Sequence, residues 1–334
     1  MNAYIKDIAY YLPQTEVTNE AIVRDFPEWS VEKIALKVGV NKRHVAAEDE
    51  TASDMAIKAA ERLFQNENIK KEDIDFVLFC TQSPDYKLPT SACIIQHQLG
   101  LRKDIGALDF NLGCSGYVYG LSLAKGLICG GIAKNVLLLT GETYSKHLHP
   151  RDKGNRTIFG DAASATVIST SGIAEIGNFS LGTDGSGVEN LIIKSGGMRC
   201  PEKQNDLCFD ENGNPVSSDY LYMNGSEIFT FTLDNVPSLV EDVLLRNTIT
   251  KDEIDLYVFH QANKYMLNFL RKKIKIGSER FYICLSEYGN TVSNTIPIAL
   301  FNAIDDKTIS GKFKVMLAGF GVGYSWGGTV LYFG

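Results

Sequence analysis

One cysteine of this chain stands where a protein can activate a thiol. Cys114 lies in the segment N-L-G-C-S-G-Y, after a strand-like A-L-D-F and before a long apolar run that predicts a helix beginning near Ser115. A helix N-terminus carries partial positive charge and unpaired backbone N–H groups, which favour a thiolate and an oxyanion beside it. Gly113 and Gly116 permit a sharp turn and a close approach of substrate. The motif fits a nucleophilic cysteine, and it fits a buried structural cysteine equally well.

Two further polar residues follow predicted elements in the second half of the chain. His260, in F-H-Q-A-N, follows a short apolar run, and an α/β sheet presents the carboxyl ends of its strands to ligands. A neutral imidazole there can exchange a hydrogen bond or a proton with substrate. Asn290, in Y-G-N-T, offers a neutral amide donor that suits an enolate oxygen because it supplies no proton to a carbanion. Taken singly, a core histidine and a helix-capping asparagine explain these residues better.

The chain repeats itself at a long spacing. The segment 71–83 reads K-E-D-I-D-F-V-L-F-C-T-Q-S, and the segment 251–263 reads K-D-E-I-D-L-Y-V-F-H-Q-A-N. Two later echoes, in the same order, pair 132–145 with 309–325 and 159–170 with 323–334. An offset of about 180 residues is too long for a solenoid repeat and fits a duplicated α/β half.

Apolar runs of strand length alternate with helical stretches. We predict buried strands at 76–80, 136–140, 256–259 and 315–318. Helices are predicted at 53–65 and 115–129. This alternation indicates a layered α/β fold. The region 182–215, rich in Gly, Asp, Asn and Ser, is predicted to form excursion loops.

The internal echo relates the three polar residues to one another. It makes the Cys114 helix and the Asn290 helix pseudo-equivalent, each about 30 residues after its echoed strand. A duplicated fold would bring both helices, and His260, near its pseudo-twofold axis. A Cys-His-Asn set can serve hydrolysis or carbon–carbon bond formation, and the duplication favours the second.

Composition narrows the class of protein. The 334 residues carry a net charge of −7, with a pI near 5.4, which argues against nucleic acid or an anionic membrane as the main partner. The first ten residues include Lys6 and Asp7 and do not read as a signal peptide, so we expect a cytoplasmic protein. The seven cysteines are scattered without a C-x-x-C pair. We therefore expect neither a disulfide framework nor a metal site.

The motifs together resemble the β-ketoacyl-acyl-carrier-protein synthase III family of the thiolase superfamily. The resemblance rests on R-H-V-A-A-E-D-E-T-A-S-D-M-A, T-Q-S-P-D-Y-K-L-P-T-S-A-C, F-G-D-A-A-S-A, H-Q-A-N, Y-G-N-T and G-F-G-V-G-Y-S-W-G-G-T-V-L. It implies an α/β thiolase-like fold with two pseudo-equivalent halves in a five-layered α-β-α-β-α arrangement. Residues 1–172 would form the half with Cys114, and residues 173–334 the half with His260 and Asn290. It also implies a homodimer.

The resemblance implies a two-stage reaction. An acyl thioester of coenzyme A or phosphopantetheine first acylates Cys114, with the backbone N–H groups of Cys114 and Val322 as the oxyanion hole. Malonyl-acyl carrier protein then loses carbon dioxide while His260 and Asn290 hold the enolate oxygen, and the carbanion attacks the thioester to give a 3-oxoacyl product. These thioesters are substrates, and no cofactor is expected.

The resemblance also implies contacts with the thioester. The matching positions are Lys37, Leu88, Lys153, Gly225, Phe229 and Asn263. Lys37 and Lys153 stand at positions of arginines, and lysine is a weaker bidentate reader of phosphate. This favours a specialised relative with a different primer at least as much as a housekeeping enzyme primed by acetyl-coenzyme A. Leu88 matches a bulky residue that reaches the acyl pocket of the partner subunit.

A basic surface is predicted on the helix after H-Q-A-N. Helical periodicity places on one side the residues that we name the basic face: Lys264, Arg271, Lys272 and Lys275. It places the apolar residues largely elsewhere: Met266, Phe269, Leu270 and Ile274. The basic face is either a docking site for an acidic acyl carrier protein or a solvated helix surface.

Two rival functions stay open. Acyl-Cys114 could pass its acyl group to an alcohol or amine, although keeping both His260 and Asn290 favours decarboxylation. The chain could be a non-catalytic partner subunit, which would be free to lose any of the three residues. Thiolase chemistry is disfavoured because no second cysteine lies near the G-F-G motif, and a cysteine hydrolase is disfavoured by the duplication.

Overall fold

The computed structural model describes residues 2–211 and 213–334. Its strands are β1 (Tyr4–Tyr11), β2 (Thr15–Thr18), β3 (Lys42–Val45), β4 (Phe76–Cys80), β5 (Gly106–Phe110), β6 (Asn135–Glu142), β7 (Ala162–Ser169), β8 (Ala174–Ile176), β9 (Ser180–Thr183), β10 (Leu191–Ile192), β11 (Cys208–Phe209), β12 (Pro215–Val216), β13 (Tyr222–Met223), β14 (Leu256–Phe259), β15 (Phe313–Gly321) and β16 (Ser325–Phe333). Its α-helices are α1 (Asn19–Asp25), α2 (Val31–Lys37), α3 (Ala52–Leu63), α4 (Ser91–Gln98), α5 (Gly116–Cys129), α6 (Lys153–Arg156), α7 (Gly225–Asn247), α8 (Lys264–Ile274) and α9 (Thr295–Asp305). None of the helices in these two ranges has both the length and the apolar character needed to cross a membrane.

The echoed segments have matching sheet topology. In the first half, β4 pairs with β6 in parallel and β6 pairs with β7 antiparallel. In the second half, β14 pairs with β15 in parallel and β15 pairs with β16 antiparallel. The two sets are joined through β1 and β8 in the order β14-β15-β16-β8-β1-β7-β6-β4-β5. The division of the chain between residues 172 and 173 falls between β7 and β8, and it stays a prediction.

Successive side chains of the central strands belong to different apolar clusters, which lie on opposite faces of the strands. In β4, Leu78 packs with one apolar cluster, whereas its neighbours Val77 and Phe79 pack with another. In β14, Val258 and Phe259 likewise belong to different clusters. Successive side chains of a strand point to opposite faces, so each set of strands is covered on both sides.

Helices fill the spaces that these faces leave. One outer cluster includes α3 and α4, and the other includes α7 and α8. The middle cluster contains α5 and α9 and receives side chains from the strands of both halves. The arrangement is therefore α-β-α-β-α, as the sequence predicts, with α5 and α9 buried at the centre.

The local predictions are confirmed for the central elements. The strands at 76–80 and 256–259 are β4 and β14. The strands at 136–140 and 315–318 are the centres of the longer β6 and β15. The predicted helices correspond to α3 and α5. The described residues of 182–215 mostly lack regular structure, apart from the end of β9, a 3-10 helix at Gly185–Asn190, the two-residue strands β10 and β11 and the first residue of β12.

Candidate active site

Cys114 lies between the end of β5 and the start of α5, where it is 6% exposed. The strand β15 packs against it through two glycines. A Cβ atom on Gly321 would lie 2.9 Å from Cys114 Sγ, and one on Gly319 would lie 2.8 Å from the Cys114 carbonyl oxygen. Because any side chain at these positions would displace the cysteine, the G-F-G motif sets the position of the sulfur.

The surroundings of Cys114 keep its thiol protonated. Burial raises the pKa of the thiol to about 12, and the nearby Glu142 acts in the same direction. The backbone N–H groups of Val322 and of Cys114 itself bond to the sulfur and act in the opposite direction. The backbone N–H groups favour the thiolate, as expected from the sequence, but in the unliganded protein desolvation outweighs them. A proton acceptor is required when the sulfur attacks.

His260 follows β14, and its backbone N–H donates to the carbonyl of Ala318 at 2.8 Å. Its ring is 2% exposed, and burial lowers the pKa of the imidazole to about 3, so the ring is neutral. Nδ1 lies 2.7 Å from Oγ1 of Thr295, which donates its only proton to the carbonyl of Val292 at 3.0 Å. In this arrangement Nδ1 donates to Thr295, and Nε2 is the proton acceptor.

The backbone of Asn290 is held from both sides. Its N–H donates to the carbonyl of Ile158 at 2.8 Å, and its carbonyl accepts from the N–H of Gly160 at 3.0 Å. Its side-chain Oδ1 accepts from the N–H of Val292 at 2.9 Å. Nδ2 has no hydrogen-bond partner in the described part of the chain, so its protons are available as donors. The helix-cap interpretation is wrong, because Asn294 is the N-cap residue of α9.

Val292 connects the three predicted catalytic residues. Its carbonyl interacts with the His260 ring, its N–H binds Asn290, and its side chain belongs to the same apolar cluster as Cys114. Its φ of 58° is in the left-handed region, which a β-branched residue adopts only when its surroundings enforce it. The strained turn at Val292 therefore brings groups from three distant segments into one site.

Glu142 is a buried carboxyl group beside the cysteine that the sequence analysis missed. It ends β6 and accepts hydrogen bonds from the N–H of Gln82, at 3.1 and 3.2 Å, and from the hydroxyl of Ser293 at 3.2 Å. Burial raises the pKa of Glu142 well above its ordinary value, which favours the protonated acid. The acid links the end of β4 to the segment that carries Asn290. A glutamate at the end of the apolar run L-L-L-T-G-E was a signal that could have revealed it.

Several predicted substrate-contacting residues lie where α2, α7 and α8 meet. The N–H of Lys264 donates to the carbonyl of Val38 at 2.9 Å, which joins the start of α8 to the end of α2, where the exposed Lys37 lies. Asn263 caps α8, with Oδ1 accepting from the N–H of Met266 at 2.8 Å. Phe229 of α7 stacks on Tyr265 of α8 with ring centroids 5.8 Å apart.

The other predicted contacts lie on different segments. Gly225 begins α7 and has open space where a Cβ would stand. Lys153 pairs with Glu28 at 3.2 Å, and both line a surface cavity of about 640 Å³ together with Arg151 and Arg156. Leu88, on the loop between β4 and α4, is 82% exposed. The structure thus groups Lys37, Phe229 and Asn263, and places Lys153 at the start of α6 and Leu88 on the loop before α4.

The basic face is accessible at its lysines but less so at its arginine. Lys264, Lys272 and Lys275 are exposed. Arg271 is partly buried and donates to the carbonyl of Ile276 at 3.2 Å and to Oδ1 of Asn268 at 3.3 Å. The three aliphatic residues assigned to the other side are buried: Met266, Leu270 and Ile274.

Phe269, which is predicted to lie away from the basic face with these three residues, is not buried. Its side chain is 43% exposed, and it packs edge-on against Phe229 with centroids 5.3 Å apart. Helical periodicity did not reveal this contact because Phe229 comes from another helix. The exposed side of α8 therefore combines lysines with an aromatic cluster.

A thiol, a neutral imidazole and a carboxamide donor form a site suited to acyl transfer through sulfur. The imidazole can remove the thiol proton, and the backbone N–H groups at the sulfur can stabilise an oxyanion. The amide can stabilise an enolate without protonating its carbon. Within the two described ranges, no three side chains of His, Cys, Asp or Glu gather as a metal site requires.

Comparisons with known proteins agree with this chemistry. The family described as "3-Oxoacyl-[acyl-carrier-protein (ACP)] synthase III" matches residues 108–185, and its C-terminal counterpart matches residues 244–333. The beta-ketoacyl-[acyl-carrier-protein] synthase III of Clostridium perfringens is 34% identical over 331 residues, which are 99% of each chain. That of Fusobacterium nucleatum is 33% identical over 334 residues, covering 98% of this chain and 97% of the relative.

Solved structures of similar sequence have the same fold. A crystal structure of a 3-oxoacyl-(acyl-carrier-protein) synthase III superposes with a TM-score of 0.97, 48% sequence identity and 100% coverage of both chains. A 3-oxoacyl-(acyl-carrier protein) synthase from Burkholderia xenovorans LB400 superposes with a TM-score of 0.92 and 38% identity, covering 100% of this chain and 95% of that one. The similarity therefore extends over the whole chain in both sequence and structure.

Proposed function

The chain belongs to the 3-oxoacyl-[acyl-carrier-protein] synthase III family, and we propose that it condenses an acyl primer with malonyl-acyl carrier protein, releasing carbon dioxide, through Cys114, His260 and Asn290. Members of this family are condensing enzymes. The roles of the three residues rest on one observation: Val292 contacts His260 and Asn290 and belongs to the same apolar cluster as Cys114.

The first stage transfers the primer to sulfur. His260 Nε2 accepts the thiol proton as Cys114 Sγ attacks the thioester carbonyl, and the proton then passes to the departing thiol of coenzyme A or phosphopantetheine. The N–H groups of Cys114 and Val322 stabilise the oxyanion. Both already bond to the sulfur in the free protein, which supports this role.

The second stage forms the carbon–carbon bond. Malonyl thioester loses carbon dioxide, and the electron pair of the broken bond forms an enolate. Asn290 Nδ2 and the Nε2–H tautomer of His260 donate to the enolate oxygen. The carbanion then attacks the acyl thioester, and the tetrahedral intermediate expels the Cys114 thiolate. The thiolate takes a proton from solvent water, and the 3-oxoacyl product leaves.

Thr295 allows His260 to act in both stages. Its hydroxyl accepts from Nδ1–H when Nε2 must take a proton. Between the stages the imidazole releases its Nδ1 proton to solvent water and takes one from water at Nε2, so its charge is unchanged, and the rotated hydroxyl then donates to Nδ1. The short contact of 2.7 Å supports this use. Thr295 is thus a positioning residue, which acts through the imidazole.

The partners follow from the exposed surfaces. We propose that an acyl carrier protein docks on the basic face, and that the primer thioester, on coenzyme A or carrier protein, runs past Lys37, Phe229 and Asn263. Two copies of the chain would form a homodimer in which Leu88 of one reaches the other. The exposure of Leu88 supports this arrangement. The reaction would take place in the cytoplasm, in fatty acid biosynthesis or a specialised lipid or polyketide pathway.

Acylation of Cys114 is tested by intact-mass spectrometry after incubation with coenzyme A and carrier-protein thioesters. We expect a covalent acyl adduct on the wild type and none on Cys114→Ala. Discharge of the adduct by an alcohol or amine, in place of malonyl-carrier, would support acyl transfer instead. Absence of an adduct with every thioester would contradict the proposal.

A further inference from the structure

A cavity of about 280 Å³ is lined by residues that surround Cys114, although Cys114 itself does not line it. One of its walls includes Val322, whose backbone N–H bonds to the Cys114 sulfur. A Cβ atom on Gly113, the residue before the cysteine, would lie 2.6 Å from both Gln82 Oε1 and Val322 Cγ1, and both of these residues line the cavity. The cavity therefore shares two lining residues, Gln82 and Val322, with the immediate surroundings of Cys114.

One wall of the cavity is polar, and we name its residues Gln82, Tyr144 and His147 the polar wall. The Tyr144 hydroxyl donates to Gln82 Oε1 at 2.5 Å, and Gln82 Nε2 donates to Asn111 Oδ1 at 3.0 Å. His147 Nε2 lies 3.3 Å from the hydroxyl of Ser83. Burial and the nearby Lys146 lower the pKa of His147, which favours its neutral form. The polar wall thus offers hydrogen bonds without a net charge.

The opposite wall is apolar. It is formed by Leu191, Ile193 and Leu221, of which Leu191 and Leu221 are buried. The volume lies at the lower end of the range usual for small-molecule sites, about 300 Å³. An acyl chain that fills this space is short and contacts both walls.

The two walls favour different atoms of a primer. A plain alkyl chain satisfies the apolar wall, but it displaces water from the polar wall and leaves hydrogen-bonding groups without partners. A chain that carries a hydroxyl or carbonyl oxygen replaces those water contacts. Charged chains lack a partner, since no residue of the polar wall carries a charge in its favoured form.

We propose that this cavity holds the acyl chain of acyl-Cys114, and that Gln82, Tyr144 and His147 select a short primer bearing a hydroxyl or keto oxygen over an alkanoyl primer of the same shape. The proposal rests on the proposed function, because it requires the acyl group to be carried by Cys114.

The test compares acylation rates for two pairs of coenzyme A thioesters of matched shape. In one pair, 3-hydroxybutanoyl and 3-methylbutanoyl, the oxygen is near the thioester; in the other, 5-oxohexanoyl and 5-methylhexanoyl, it is farther away. Intact-mass spectrometry follows the adduct on Cys114. We expect the wild type to react about tenfold faster with the oxygenated member of at least one pair, the factor that one hydrogen bond supplies.

Two variants identify the groups responsible. The double variant Gln82→Leu with Tyr144→Phe removes both hydrogen-bonding partners together, so the ratio of the oxygenated rate to the alkyl rate should fall from about ten to about one. Tyr119→Phe is the matched control, because the Tyr119 hydroxyl donates to Gly182 at 3.0 Å, and Tyr119 does not line this cavity. That variant should keep the preference.

The outcomes separate this inference from the proposed function. Equal rates within both pairs, or faster reaction of the alkyl members, would overturn the inference and leave acylation of Cys114 intact. No adduct with any thioester would overturn both. If the double variant does not fold, Tyr144→Phe alone must reduce the wild-type preference, and an unchanged preference would overturn the assignment to the polar wall.

Discussion

Nδ1 of His260 lies 2.7 Å from Oγ1 of Thr295, which in turn donates to the carbonyl of Val292 at 3.0 Å. The three groups form a chain within the buried site. A hydroxyl can accept or donate, whereas the carbonyl can only accept, so Thr295 is the one member of the chain that can respond to a change of imidazole tautomer. This relationship gives Thr295 a role that is visible in kinetics.

Replacement of Thr295 should affect chemistry more than folding. Thr295→Val keeps the shape of the side chain but leaves Nδ1 without its partner, so kcat for condensation should fall by about tenfold to a hundredfold. Thr295→Ser keeps the hydroxyl and should keep most of the activity. Steady-state kinetics of both variants, with thermal unfolding as the control, make the comparison. Equal losses in the two variants would assign Thr295 to packing alone.

The reactivity of Cys114 should rise with pH. Its pKa is raised to about 12, so the thiolate fraction at neutral pH is very small and increases about tenfold for each pH unit below that value. Alkylation by iodoacetamide without substrate should therefore be slow at pH 7 and continue to rise above pH 9. Peptide mass spectrometry can compare Cys114 with the exposed Cys208 as an internal reference. Rapid, pH-independent alkylation near pH 7 would mean that the N–H groups outweigh burial after all.

The protonated state of Glu142 can be tested by its amide analogue. Glu142→Gln keeps an acceptor oxygen for Gln82 and resembles the neutral acid, so the free energy of unfolding should change by less than about 1 kcal/mol near pH 5. Glu142→Ala leaves the N–H of Gln82 unpaired and should cost about 2 kcal/mol or more. Urea unfolding measures both. A severe loss in the Gln variant would indicate that the carboxylate, not the acid, is required.

Glu142 should also make stability depend on pH. Its pKa is raised in the folded protein, so the stability that it contributes is present below its unfolded pKa, about 4.3, and is lost as the pH rises towards the folded value. Glu142→Gln has no such titrating group, so its free energy of unfolding should rise relative to that of the wild type as the pH increases. A constant difference between the two proteins from pH 4 to pH 8 would contradict the raised pKa.

Charge reversal on the basic face should weaken carrier binding. Lys264→Glu and Lys272→Glu should raise the KM for malonyl-acyl carrier protein by about tenfold and leave kcat with a malonyl-pantetheine analogue unchanged. Lys103→Glu, at an exposed lysine on the loop between α4 and β5, is the matched control. An unaltered KM in both variants of the basic face would assign it to solvent exposure only.

Sequence patterns predicted the central strands and helices because the residues of these elements are buried in a regular pattern. The apolar runs of β4 and β14 are covered on both faces, and such strands are visible as short continuous runs. The motif around Cys114 likewise identified the start of α5 within one residue. Structural features that one segment of the chain determines by itself were largely predictable.

Structural features that arise from contacts between distant segments were not predictable from the sequence. The helix N-terminus at Cys114 is visible in the sequence. The burial against β15 and the charge of Glu142, which together outweigh its effect on the thiol pKa, come from distant segments. The contacts of Val292 with His260 and Asn290 arise from a left-handed turn that no residue preference favours in a valine. The contact of Phe269 with Phe229 joins α8 to α7, and the periodicity of α8 alone does not show it.

The most direct test of the account is a single turnover of acylated protein. Protein carrying a primer on Cys114 is separated from excess thioester and mixed with malonyl-acyl carrier protein, and carbon dioxide, 3-oxoacyl product and remaining adduct are counted together. We expect the first two to appear in equal amounts as the adduct disappears, and Asn290→Ala to retain its adduct with decarboxylation slowed by about a hundredfold or more. Loss of the adduct without carbon dioxide, or unchanged turnover in Asn290→Ala, would contradict the mechanism.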